Sequence, residues 1–159
     1  MALLVLAAIT GPAPAAASAP PPSGIDAVHE GAGRPRVKLN RLTFPTIPEA
    51  SYYKNHLTRS LSQASARADW GAGAGSVIEY RFRVDRLDIE TADGLVRVHC
   101  EATGELPRSK NASSRLSFSG DPSQRRQLVE KVLTIVARGV ITRLAQIEHA
   151  RRRRARPRS

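Results

Sequence analysis

Six arginines among the last nine residues, Arg151, Arg152, Arg153, Arg154, Arg156 and Arg158, have the plainest chemical claim on a partner. Guanidinium groups pair bidentately with phosphate and carboxylate. Each basic charge held near an anionic surface adds on the order of 1 kcal/mol. These six are the candidate anion-contacting residues, and the plainer alternative is a solvated extension of the last helix. Few aromatic residues surround them, so the base stacking used by single-strand nucleic-acid binders is not indicated.

The other chemically suggestive spacings fail on inspection. Ser51-Tyr52-Tyr53-Lys54 spells S-x-x-K, the nucleophile motif of penicillin-recognising enzymes, but the companion S-D-N and K-T-G motifs are absent. Gly71 to Gly75 is glycine-rich like a phosphate-cradling loop, yet such loops lead from a strand into a helix, and here the expected order is helix into strand. That run is read as a turn. Cys100 is the single cysteine, which rules out an internal disulfide and a multi-cysteine zinc site. It falls on the apolar face of an expected strand, with His99 on the opposite face, so the two make no catalytic pair. His29, His56, His99 and His149 are scattered and none has an i, i+4 histidine partner. No G-x-S-x-G occurs, and no pair of carboxylates stands on an apolar background. Asn111-Ala112-Ser113 is a glycosylation triplet by spelling only. The expectation is therefore no catalytic residue, no metal, no cofactor and no enzymatic activity.

The elements that must carry these residues begin with an apolar leader. Met1 to Ile9 has the composition of a signal-peptide hydrophobic region, and Ala13 to Ala19 supplies small residues for cleavage, best at Ala15-Ala16-Ala17. No lysine or arginine precedes Arg34, so the usual basic start is missing. The apolar run is shorter than the about 20 residues a transmembrane helix needs. Residues 1–19 are read as a signal peptide and 20–36 as a disordered Pro/Gly/Ala linker, too poor in large apolar side chains to offset ordering entropy. A single domain is expected over 37–150, followed by an arginine-rich tail, 151–159. The formal charge of +11 falls to +5 without the six terminal arginines, so the domain is mildly basic and the tail strongly so.

Within the domain, Val37, Leu39, Leu42 and Phe44 predict a strand with a parity break at Asn40-Arg41. Tyr53, Leu57, Leu61, Ala64 and Ala68 then recur at helical spacing up to Trp70-Gly71. Ile78, Tyr80, Phe82 and Val84 alternate with charged residues, and Leu87 and Ile89 continue on the other parity, which requires a bulge near Asp85-Arg86. Asp93-Gly94 is a hairpin dipeptide. The return strand turns Val96, Val98, Cys100 and Ala102 inward, and a third strand over Ser114 to Ser119 turns Leu116 and Phe118 inward. Asp121-Pro122 opens a last helix with an apolar face from Leu128 to Ile147. The fold class is α+β, a two-layer sandwich in the order β-α-β-β-β-α: an antiparallel sheet of three to four strands with two helices packed on one face.

Helix, three strands, helix is also the order of the double-stranded RNA-binding domain, but the basic, alanine-rich start of that domain's second helix is not found at Asp121 to Val132. The complete order with an export signal resembles that of small periplasmic assembly lipoproteins that help deliver lipopolysaccharide to the outer membrane, although no cysteine follows the leader to accept a lipid. The likeness is one of element order, and no family is assigned from it. The expectation is an exported bacterial protein, periplasmic or secreted, with a non-enzymatic binding or assembly role in the cell envelope and an anionic lipid or acidic envelope protein as partner. The alternative is a cytoplasmic nucleic-acid-binding protein working through its arginine tail, with salt-sensitive affinity.

Overall fold

The computed structural model of the chain describes residues 33–155. The expected leader, the linker up to residue 32, and Arg156 and Arg158 lie outside the described residues. The elements run β1 (Arg36–Thr43), α1 (Ala50–Arg67), β2 (Val77–Ala92), β3 (Leu95–Glu105), β4 (Ala112–Gly120) and α2 (Arg125–Ala155), with a single 3-10 turn, Pro122–Gln124, before α2. The four strands form one sheet in sequence order, β1-β2-β3-β4. This is the expected α+β sandwich.

At one edge the sheet differs from a wholly antiparallel one. β1 pairs with β2 in parallel, and the remaining pairs are antiparallel. The connection explains it: α1 carries the chain back across the sheet, and a strand entered after such a crossover runs parallel to the one before it.

Both expected bulges occur, with register shifts between Leu39 and Arg41 and between Val84 and Arg86. The second lets Val84 and Leu87 both point inward while Asp85 and Arg86 stay in solvent. Asp93 and Gly94 have φ of 53° and 73°, the double positive φ that a two-residue hairpin requires. Asp121 caps the last helical segment by accepting from the Ser123 N–H at 2.8 Å. β1 begins one residue before the expected boundary, at Arg36, whose N–H donates to the Ser76 carbonyl at 2.9 Å.

The core lies between the sheet and the two helices. Tyr53, Leu57 and Leu61 of α1, Tyr80 and Phe82 of β2, Val96, Val98 and Cys100 of β3, and Val129, Val132, Leu133, Val136, Val140, Ile141 and Leu144 of α2 supply its buried side chains. Two expected inward residues are incompletely covered: Phe118, opposite Val98 and beneath the Lys131 ammonium of α2, is 36% exposed on the edge strand β4, and Ile135 is 39% exposed on α2. The outer sheet face carries Glu79, Arg81, Arg83 and Arg97 in solvent, as their alternation requires.

Candidate functional site

The arginine end of α2 is a built structure as well as a charged one. The helix runs on through Ala155, so the expected tail boundary at residue 150 falls inside it. Glu148 occupies a core-facing position one turn after Leu144 and is 2% exposed. Burial opposes its ionisation, but the guanidiniums of Arg151 and Arg152 outweigh burial and hold its carboxyl below the usual glutamate range. Arg151 donates through Nε to Oε2 at 2.8 Å and through Nη2 to Oε1 at 2.9 Å, while Arg152 donates through Nε to Oε1 at 2.7 Å.

Arg152 has a second task. Its Nη1 donates to the Ala72 carbonyl at 3.1 Å and to Ser76 Oγ at 3.0 Å, so it clasps the glycine-rich loop between α1 and β2. A Cβ at Gly73 would lie 2.0 Å from that Nη1, which gives the glycine its reason. His149 Nδ1 stands 3.4 Å from Asp69 Oδ2 on the same loop. The loop also reaches the segment that leads into β1, for the Gly73 N–H donates to the Gly33 carbonyl at 3.0 Å. The Gly71–Gly75 run is thus a receptor for the end of α2, and its turn conformation rests on φ of 79° at Gly71 and Gly75. Of the four described candidate arginines, Arg151 and Arg152 share Glu148. Arg153 and Arg154 are exposed and have no carboxylate partner among the described residues.

Beside this clasp, between α1 and β1, lies a cleft of about 390 Å³. Its floor is Trp70, Tyr80, Val37 and Leu39, with Arg34 and Asp69 as exposed members of its rim. Trp70 folds back after α1: its Nε1 donates to the Ser65 carbonyl at 2.9 Å, and its ring stacks on Tyr80 with centroids 6.3 Å apart. Ser65 Oγ and the Tyr80 hydroxyl are 3.0 Å apart, so both buried polar groups have partners. Burial raises the Tyr80 hydroxyl above the ordinary tyrosine range, and it stays protonated at neutral pH.

Cys100, His99, Ser51 and Lys54 sit where their patterns put them, and His29 lies outside the described residues. Cys100 is fully buried, and desolvation, helped by Glu101 and Asp85, pushes its thiol up to about 12. His99 points to the other face and pairs with Glu101 at 3.1 Å. Ser51 and Lys54 lie exposed in the first turn of α1. No cluster of three or more metal-ligating side chains occurs among the described residues. Sequence reasoning missed Glu148, although its i, i+3 and i, i+4 spacing to Arg151 and Arg152 was a usable signal. It also missed the cleft, which depends on how far α1 stands from β1.

No family model matches the chain, and no curated protein matches its sequence. Among solved structures it is similar to a provisionally assigned lipoprotein from Caulobacter crescentus CB15, at 9% identity over 77% of this chain and 93% of that one, with a TM-score of 0.47. A minor lipoprotein from Acinetobacter baumannii matches at 14% identity over 72% and 91% of the two chains, with a TM-score of 0.32. Rare lipoprotein B from Shewanella oneidensis matches at 16% identity over 71% and 99%, with a TM-score of 0.39. All three are bacterial lipoproteins by name. At these identities and scores no role passes from them to this chain.

Proposed function

We propose that the chain is an exported, non-enzymatic binding or assembly protein of the bacterial cell envelope, whose arginine end meets phosphate-bearing lipid headgroups or an acidic envelope protein. The observation that carries this reading is the rigid cationic end of α2. Glu148 and the glycine loop fix Arg152, and Arg153 and Arg154 are exposed on the same helical end. A helix C-terminus favours cations, so the cluster is stable where it stands. The apolar leader Met1–Ile9 with its small-residue stretch supports export. No described helix is long and apolar enough to cross a membrane, so the proposed contact is with a surface.

The test is the intact mass and compartment of the protein expressed from its native locus. A periplasmic or secreted species beginning near Ser18 is expected. An unprocessed cytosolic species overturns the reading and favours the nucleic-acid alternative. Replacing Arg153 and Arg154 with alanine is expected to weaken binding to phosphatidylglycerol vesicles by roughly fivefold per charge, since each is worth about 1 kcal/mol near such a surface.

A further inference from the structure

The geometry points to the cleft between α1 and β1 as a binding site for one monoanionic single-chain amphiphile, a fatty carboxylate. Four features converge there. The volume, about 390 Å³, falls within the range of small-ligand pockets. The floor is apolar and aromatic, and its buried hydroxyls, Ser65 and Tyr80, already satisfy each other, so an alkyl chain against that floor would strand neither of them. Arg34 stands exposed on the rim with no carboxylate partner among the described residues, and a guanidinium is the group that pairs with a carboxylate head. Asp69 shares that rim, so the second charge of a phosphate monoester would face a carboxylate, and the singly charged head is favoured.

The inference goes beyond the envelope reading and does not depend on it: a cytosolic location would leave the cleft as it is. It also differs from the arginine end in kind, because the apolar floor holds the ligand and the cation only orients it.

Trp70 is the single tryptophan of the chain and part of the floor, so it reports occupancy directly. Titrating the full chain with 12-bromododecanoate below its micelle concentration is expected to quench Trp70 emission saturably, with dodecanoate displacing the probe. Arg34→Ala is expected to weaken binding by about two- to fivefold, the worth of an exposed ion pair. Ala66→Phe, an exposed lining position whose side chain would fill the cleft, is expected to abolish saturable quenching, with cooperative chemical unfolding showing that the variant is folded. Non-saturable quenching, or quenching unchanged by Ala66→Phe, overturns the site. Equal displacement by neutral dodecyl maltoside, or stronger displacement by dodecyl phosphate, overturns the carboxylate assignment.

Discussion

The two halves of the helix layer use the same architecture to opposite effect. Over β3 and β4, α2 descends until side chain meets backbone: a Cβ at Gly104 would lie 2.5 Å from Val140 Cγ1 and 2.7 Å from Leu144 Cδ1. Val96, Val98 and Cys100 below it, and Val136, Val140 and Leu144 on it, are sealed from solvent. Over β1, Val37, Leu39 and Leu42 are only partly covered. The large side chains of α1, Tyr53, Leu57 and Leu61, are in its first two-thirds, and the residues that meet the cleft later, Ser62, Ser65 and Ala66, are small. Room in a two-layer fold is thus decided by side-chain volume along one helix. The fold class alone does not set it.

The sharpest way to break this contrast is a matched pair of truncations. Leu144→Ala in the sealed half is expected to cost about 3–5 kcal/mol, and Leu39→Ala in the open half about 1–2 kcal/mol, because a partly covered side chain loses less burial and leaves no closed cavity. Chemical denaturation of the two variants measures the difference, and equal costs would mean the halves are packed alike. Cys100 gives an independent reading of the sealed half. Its thiol, buried and pushed up to about 12, is expected to react with iodoacetamide only as fast as the protein opens globally, and faster in Leu144→Ala.

The clasp joins the halves, and its loss ranks next. Arg152→Ala removes one donor from a buried carboxylate and both bonds to the loop, with an expected cost of about 2 kcal/mol. Glu148 keeps its proton off further into acid when folded than when unfolded. Its contribution is therefore complete above the usual glutamate range and drains away as the pH falls through the lower folded value. Glu148→Gln is expected to lower stability at neutral pH and to flatten that acid limb in pH-dependent unfolding. The smallest effect belongs to the open half: Ser62→Leu, at an exposed position lining the cleft, is expected to change stability by less than about 0.5 kcal/mol.

Much of this was legible in the residues, for local reasons. The Asp85-Arg86 bulge, the Asp93-Gly94 hairpin and the burial of Cys100 follow from parity and turn chemistry within one or two neighbouring strands. The parallel pairing of β1 was not legible in its own alternation, because direction belongs to the connection through α1. Phe118 alternates inward but sits on an edge strand, where cover depends on how far α2 reaches. The arginines were legible as charges, yet the division between Arg152, which is engaged inside the fold, and Arg153 and Arg154, which are not, required knowing that Glu148 faces the core. The cleft had no sequence signature, since it is the separation of β1 and α1, elements adjacent in the chain whose spacing is set only when both pack on β2.

The Gly73–Gly33 hydrogen bond and the grip of Arg152 on Ala72 put the two ends of the described fold at one pole, on a single loop. β1 and β2 both start there, and the hairpin at Asp93-Gly94, the Pro45–Glu49 connection and the start of α2 lie at the other. Tethered from either end, the domain would hang like a pendant, its far pole turned outward and free to swing. A short peptide joining residue 33 to residue 155 would close the chain into a ring without threading the core, and new ends could be opened at the hairpin.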